Sequence, residues 1–385
     1  MLKLSQRADF ITRSEIRIMS VECERVGGIN LSQGVCDTEI PLPVRRAAQE
    51  AIESGPNTYT RQEGILELRR AVAAKLSRFN GLTYDPEKEV VVSVGSTGAF
   101  YTACLALLNQ GDEVIVFEPY YGYHLHTLLA VSAVPTYVTL KAPNWTFDPK
   151  DLEAASSPRT RAIVINSPAN PSGKVFSRTE LEVIRDFAVR HDLFVLTDEI
   201  YEHFLYDDRK HISPATLPGM RERTITISGL SKTFSITGWR IGYAACSSRW
   251  TELIGSLNDL IYVCAPAPLQ AGVAKGLVAL GPDYYQKLSN DYARKRDMIC
   301  DALLKAKLTP SVPQGAYYVL ADVSRLPGKN SKERVMYLLE KTKVASVPGS
   351  AFYHAGDGEA LARFCFAKND EELARACRSL EKLWA

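Results

Sequence analysis

Short apolar runs alternate along the chain with longer stretches in which apolar residues recur every three or four positions. The runs EVVVSV (89–94), EVIVFE (113–118), RAIVIN (161–166), LFVLTD (193–198), TITIS (224–228) and IGYAAC (241–246) are of strand length and rich in β-branched residues. They are apolar on both faces, as strands covered by helices on each side must be, so an α/β fold with a mostly parallel sheet is expected. Between them, Leu68, Val72, Leu76 and Phe79 share one helical face of EGILELRRAVAAKLSRF. Ser177 and Glu180 stand in capping-box spacing ahead of Leu181, Ile184 and Ala188. Such helices supply the cover for the sheet.

After about residue 282 the texture changes. DYYQKLSNDYARKRDMICDALLKAK puts Leu288, Tyr292, Ile299 and Leu303 on a helical repeat and predicts a long connecting helix. Shorter strand candidates follow, AYYVLADV and ARFCFA, separated by turns and a polar helix, which predicts a smaller α+β domain. The expected division is residues 1–40 as an N-terminal arm and part of the small domain, 41–282 as the large domain and 283–385 as the small C-terminal domain. A length of 385 residues agrees with two domains at roughly 100 to 200 residues each.

Composition narrows the classes. Lys+Arg 46 against Asp+Glu 44 leaves a formal charge of +2, with no cationic excess to hold nucleic acid or an anionic membrane. The opening MLKLSQRADFITRSEIRIMS has no signal-peptide core, and no run of about 18 apolar residues occurs, so a soluble cytoplasmic protein is expected. The eight cysteines (Cys23, Cys36, Cys104, Cys246, Cys264, Cys300, Cys365, Cys377) form no C-x-x-C pair and no cluster with histidine, and read as reduced core residues. No metal is expected. His124 and His126, beside aromatic residues, read as a loop or helix start.

Candidate chemistry collects just past the carboxyl ends of the expected strands, the edge at which open α/β sheets bind ligands. GSTGAF follows EVVVSV and opens a helix, whose free N–H groups suit an anion such as phosphate; plain capping is the competing reading. LFVLTD ends in Asp198, a carboxylate that needs a cation or donor partner unless it merely caps a helix, with Tyr201 three residues on. SPANPSG holds Asn170 between Pro168 and Pro171, with an ordinary turn as the alternative. GLSKTFSITGWRIGY carries Lys232 eight residues before Arg240, among the small residues Gly229, Ser231, Thr237 and Gly238. A lysine at strand tips is normally solvated, but one buried in a pocket beside an arginine has a lowered pKa and a nucleophilic amine. Arg240 can clamp a phosphate bidentately.

NTYTRQEG, SPANPSG, TDEIY, GLSKTFSITGWRIGY and RFCFA, in this order and spacing, resemble the fold-type-I pyridoxal-phosphate aminotransferases of classes I and II, over residues 15–380. EPYYGYH and RFCFAKNDEEL are similar to the kynurenine and glutamine transaminase branch, and ISGLSK and ITGWRIGYA to bacterial aspartate and broad-range aminotransferases. The resemblance implies an aspartate-aminotransferase-like large domain, pyridoxal 5'-phosphate as cofactor, and a homodimer with shared active sites. It implies that Lys232 holds the cofactor through its amine and moves a proton at the substrate Cα. Asp198 then serves the pyridine nitrogen, Tyr201 and Asn170 the phenolic oxygen, and Tyr121 the ring face. Ser96, Thr97, Ser231, Arg240 and Tyr59 of a neighbouring subunit hold the phosphate. Arg363, with Gly34 and Asn170 close by, binds the substrate α-carboxylate.

Two departures from many relatives stand out. Gly229 replaces a phosphate-binding serine three residues before the lysine, leaving Ser228 or Ser231 for that place, and Cys36 replaces a proline near the substrate. The implied activity is ping-pong transfer of an amino group from an α-amino acid to a 2-oxo acid. The alternatives are an aspartate aminotransferase, a carbon–sulfur β-lyase (in which DEIH is common where this chain has DEIY) and a non-catalytic ligand-binding regulator, which ordinarily carries a further DNA-binding domain. Residues 258–274 contain no Arg or Lys, while Tyr120, Tyr123 and Tyr262 are expected near the pocket. Aromatic, methionine-like or glutamine-like donors are therefore expected to rival aspartate, unless Arg17 or Arg61 reaches the substrate.

Overall fold

In the computed structural model of the chain, which describes residues 2–5, 7, 10, 14–55 and 57–384, each of the six apolar runs is a strand of one sheet. In chain order the strands are β1 (Ile29–Asn30), β2 (Val90–Val94), β3 (Glu113–Glu118), β4 (Val134–Thr139), β5 (Thr160–Asn166), β6 (Phe194–Asp198), β7 (Thr224–Gly229) and β8 (Ile241–Ala245). They continue as β9 (Thr309–Ser311), β10 (Tyr318–Asp322), β11 (Val344–Ala345), β12 (Val347–Pro348) and β13 (Leu361–Cys365). The large sheet has the order β2-β8-β7-β6-β5-β3-β4. Its strands from β4 through to β7 pair in parallel, and β8 runs antiparallel to both β7 and β2.

Alternate residues of these strands are buried on opposite faces, which is why the runs are apolar throughout. On one face Val114, Val116, Val164, Leu196 and Ile227 pack with Ala99, Phe100 and Ala103 of the helix Gly95–Leu107. On the other, Ile115, Ile163, Ile165 and Val195 pack with Leu181, Ile184 and Phe187 of the helix Arg178–Arg190, which starts with the expected Ser177/Glu180 capping box. The run criterion passes over β4, whose VPTYVT is mixed in polarity and holds Pro135; the strand lies at the sheet edge, where a missing N–H is tolerated. The helix Leu66–Lys75 buries Leu68 and Val72 but gives way to a π-helical turn, Leu76–Asn80. Its wider winding rotates Phe79 off the buried stripe, leaving it 40% exposed.

The second sheet is antiparallel, in the order β12-β13-β10-β9, and β1 pairs in parallel with β11. Met19, Cys23, Ile29 and Leu31 therefore share one core with Val335, Phe364 and Leu373. The long helix, Pro282–Lys305, adds Tyr292, Ile299 and Leu303 to the same core. So do Ile200, Tyr201, Phe204 and Tyr206, from the segment that leaves β6. That segment is where the two sheets meet. All eight cysteines are free, seven of them buried, and among the described residues no helix is long and apolar enough to cross a membrane.

Candidate active site

The tips of β5, β6 and β7 open onto a cavity of about 500 Å3. Its wall contains Gly34, Ser96, Thr97, Tyr121, Asn170, Asp198, Tyr201, Ser231, Lys232, Arg240 and Arg363, every candidate residue but Tyr59. Tyr59 is 81% exposed and lies outside this wall.

One end of the cavity is built for an anion. The helix Gly95–Leu107 starts directly from β2 with no side-chain cap; Gly95 N–H bonds Arg240 O at 2.9 Å, and the amides that follow it in the first turn stay open beside Ser96 and Thr97. Gly95 has φ +70°, and a Cβ there would meet the Arg240 guanidinium at 2.5 Å; a Cβ on Gly242 would meet Ser96 N at 2.3 Å. Both glycines let the arginine and the helix start converge. Arg240 donates to Thr237 O at 3.1 Å and, among the described residues, forms no salt bridge. Of the two serines left open by Gly229, Ser231 lines the cavity, whereas Ser228 turns away and donates to Glu202 Oε1 at 3.0 Å. Position 229 itself has little room for a side chain, since a Cβ would lie 3.0 Å from Ile241 O.

Between the ends, Lys232 Nζ donates to Gly34 O at 3.0 Å. Burial pushes its pKa below the usual lysine value, and the charge of Arg240 acts in the same direction. Asp198 is buried at the tip of β6, where its Oδ2 pairs with His124 Nε2 at 2.9 Å and its Oδ1 accepts from Ile200 N at 3.2 Å. Tyr201 OH lies 3.0 Å from Tyr318 OH, and burial raises both phenols, so both stay protonated at neutral pH. Cys36 does not line the cavity: its Sγ is directed at Lys232 O, 3.7 Å away, and burial raises the thiol.

At the other end Arg363, on β13, is fully buried. Its Nη1 donates to Asn170 Oδ1 at 2.8 Å and its Nη2 to Ser32 O at 2.5 Å, while Tyr318 and Phe352 flank the guanidinium at 4.3 and 5.1 Å. Its Nε has no partner, and among the described residues no carboxylate pairs with it. Because Asn170 Oδ1 accepts from Arg363, the Asn170 amide N–H groups remain free to donate. Gly34 is required here, since a Cβ would overlap Tyr318 OH at 1.8 Å. The cavity thus carries Arg17, Lys232, Arg240 and Arg363 against the single carboxylate of Asp198, a balance that favours an anionic guest.

The sequence reading missed three residues of this wall or its support. His124 does sit at a helix start, in the first turn of the helix Gly122–Ala130, where its N–H bonds Tyr121 O at 2.9 Å, but the burial of its imidazole on Asp198 goes beyond that reading. Its spacing of three from Tyr121 puts both on one helical face, a usable signal. Asn166, paired in register with Asp198 at the neighbouring strand tip, donates to Asp198 O at 2.9 Å and accepts from Asn170 N at 2.7 Å. Tyr318 gave no signal within AYYVLADV. Of the tyrosines expected near the pocket, Tyr123 lines it; Tyr120 is buried in the core and Tyr262 stands against Gly98 outside the wall. Arg17 lines the cavity, and Arg61 pairs with Glu63 at 3.2 Å outside it.

The sequence model of the family "Aminotransferase class I and II" matches residues 26–380. An aspartate aminotransferase of Pyrococcus abyssi (strain GE5 / Orsay) is 36% identical over 385 residues, covering 99% of this chain and 98% of its own. Kynurenine–oxoglutarate transaminase 3 of Mus musculus is 35% identical over 378 residues, covering 90% and 83%. The solved structure of N-succinyldiaminopimelate aminotransferase from Mycobacterium tuberculosis has a TM-score of 0.95 at 37% identity, covering 99% of this chain and 100% of that one.

Proposed function

The chain belongs to the class I and II aminotransferases and is a pyridoxal-phosphate-dependent transaminase, and we propose that it prefers α-amino acids with aromatic or other neutral side chains as donors to a 2-oxo acid. The observation that carries the substrate end of this reading is Arg363. A buried guanidinium without a carboxylate partner is costly, and a substrate α-carboxylate would complete it as a bidentate pair.

The residues present fit the cofactor. Gly95 and Gly242 keep clear the cradle where Ser96, Thr97, Ser231 and Arg240 would hold its phosphate. Asp198 would hold its ring nitrogen, Tyr201 and Asn170 its phenolic oxygen, Tyr121 its ring face, and Lys232 its aldehyde carbon. When bound, pyridoxal phosphate supplies an electron sink for the bond broken at the substrate Cα. His124 keeps the Asp198 carboxylate oriented through its Nε2. Lys232 Nζ, biased toward the neutral amine by burial, takes the proton from Cα and returns it one step later. Arg363 fixes the substrate so that the Cα–H bond faces that amine.

Tyr59 is so exposed that we assign it to the phosphate of a neighbouring copy, in a homodimer whose sites are shared; the exposed Leu260 and Val278 support such an interface. We take residues 1–40, of which 1, 6, 8, 9 and 11–13 lie outside the described residues, with 283–385 as the small domain and 41–282 as the large one, in keeping with the four- and two-stranded sheets of the first and the seven-stranded sheet of the second. The eight free cysteines support a reducing, cytoplasmic setting.

Tyr121, Tyr123 and Tyr318 on the wall support the aromatic or neutral preference, together with the absence of a cation from residues 258–274. Arg17, which lines the same cavity, favours a second reading in which the donor carries a distal carboxylate. A donor screen following each half-reaction spectrally, with phenylalanine, tyrosine, kynurenine, methionine, glutamine and aspartate, separates them. An aspartate preference in kcat/KM above about tenfold would overturn the first reading, since it would require a charge-assisted partner for the distal carboxylate.

A further inference from the structure

Behind the segment that leaves β6 lies a second and larger cavity, of about 760 Å3, within the range of small-molecule sites. It is separate from the cavity of Lys232: Glu202, His203 and His211 face it, whereas Asp198, Ile200 and Tyr201 face the other.

Its floor is a closed polar network. Glu202 pairs with the Lys75 ammonium and accepts from Asn80 Nδ2 at 2.9 Å and Ser228 Oγ at 3.0 Å. Glu199 accepts from Thr197 Oγ1 at 2.8 Å, Ser213 Oγ at 2.7 Å and His211 Nε2 at 2.6 Å. Glu199, Glu202 and His211 are close enough to share a cation, but both carboxylates already have partners, and Lys75 supplies the positive charge.

The wall above this floor is different. His203 is buried with neither ring nitrogen bonded, His211 Nδ1 has no partner, and the buried Tyr285 OH has none. These atoms are sealed from solvent, so the wall meets the cavity through the rings that carry them. They belong to an aromatic group: His203 lies 4.3 Å from Phe79 and 4.4 Å from Tyr285, and Phe79 is parallel to His211 at 6.5 Å. Burial drives the His203 pKa down to about 3, so its imidazole is a neutral ring in this wall. The rim is cationic. Arg78, Arg209 and Lys210 are exposed there and, among the described residues, form no salt bridge; Asp207 is held by Arg296 at 2.6 and 3.0 Å, which leaves Asp208 as the opposing charge.

We propose that this cavity is a second ligand site, for a planar aromatic carboxylate, held between the rings of Phe79, His203 and Tyr285 and the rim of Arg78, Arg209 and Lys210. Its flat faces meet Phe79 and Tyr285, and its carboxylate meets the rim.

The probe is indole-3-carboxylate, titrated calorimetrically into the holoenzyme. The expected result is saturable binding of one equivalent per chain beyond any that the active site takes, retained in Arg363→Lys. Arg78→Glu, an exposed change remote from the active-site cavity, should weaken it by about tenfold or more without altering transamination. Neutral indole-3-carboxamide should bind correspondingly worse. No binding at millimolar probe, loss of all binding in Arg363→Lys, or equal affinity in Arg78→Glu would overturn the proposal. So would equal affinity for the carboxamide. None of these outcomes depends on which amino acid is the donor.

Discussion

The two sides of the segment Asp198–His203 solve the problem of buried charge in opposite ways. On the side of Lys232, Arg363 and Arg240 are left without carboxylate partners and Asp198 is the lone anion. On the other, Lys75, from the end of the helix Leu66–Lys75, answers Glu202, and His211 answers Glu199. The closed network fixes the backbone that the open one uses, because Glu199 N bonds β7 at Ile227 O (2.8 Å) and Glu202 N bonds Glu199 O (3.0 Å). Unpaired charge therefore marks where chemistry happens, and paired charge marks what holds it still.

The sharpest way to break this contrast is at Lys232. Lys232→Ala should fold and lose turnover on the order of 10⁴-fold, the upper end of what one positioned acid–base group supplies. Borohydride reduction of the wild-type holoenzyme should leave the cofactor covalently attached to the peptide carrying Lys232; attachment elsewhere, or near-normal turnover in the variant, defeats the assignment. Asp198→Ala comes next. The carboxylate acts electrostatically on the bound ring, so a loss of roughly 10² to 10³-fold in kcat is expected, with little change in melting temperature. A loss under tenfold would mean that Asp198 merely caps the turn.

The third test compares the two sides directly. Lys75→Met strands the Glu202 carboxylate in the interior and should cost about 3 to 5 kcal/mol of stability. Arg363→Met removes a charge that has no carboxylate partner, so its melting temperature should hold or rise while kcat/KM collapses. Burial alone would raise the Glu202 pKa, but the charge of Lys75 overrides it and brings the value down from 4.5 to about 2. A depressed carboxylate stabilises the fold above its unfolded pKa, and that contribution is lost as pH falls from about 4.5 toward 2. Urea midpoints across that window should fall for the wild type and change less for Lys75→Met. Equal slopes would remove Glu202 from the account.

What could be read from the chain follows the same division. Strands buried on both faces announce themselves as apolar runs, and a charged residue at the end of such a run, as Asp198 is, stands out against it; Asn166 ends RAIVIN in the same way, a signal the sequence reading passes over. Asn170 and Lys232 stood out through the rigid or small residues around them. The partners of these groups are tertiary: His124 reaches Asp198 across 74 positions and Tyr318 reaches Tyr201 across 117, distances over which periodicity says nothing. Ser228 and Ser231 could not be ranked by composition, since the facing of each depends on how the chain turns after β7. The second cavity was illegible for that reason too. Its floor ties Glu199, Glu202 and His211 to Lys75, Asn80 and Ser228, and Phe79 and Tyr285 come from distant helices, Phe79 reaching the wall because a π-turn rotates it outward.

The smallest expected effect separates the two substrate readings at Arg17. This arginine lies in the first turns of the helix Glu15–Arg25, lines the active-site cavity, is exposed, and makes no side-chain hydrogen bond or salt bridge among the described residues. A desolvated partner for a distal carboxylate contributes about 1.5 to 3 kcal/mol, but solvent screening of an exposed guanidinium reduces that toward 1 kcal/mol or less. Under the neutral-donor reading, Arg17→Ala should lower kcat/KM for aspartate less than about tenfold and leave phenylalanine unchanged, because the tyrosines of the wall and Arg363 supply the contacts that aromatic donors use. Under the dicarboxylate reading the wild type prefers aspartate strongly, and the variant loses that preference. The measurement is therefore the ratio of kcat/KM for aspartate to that for phenylalanine in both proteins. A ratio well above ten that collapses toward one in Arg17→Ala would move the donor class from neutral to dicarboxylic without disturbing the roles of Lys232, Asp198 or Arg363.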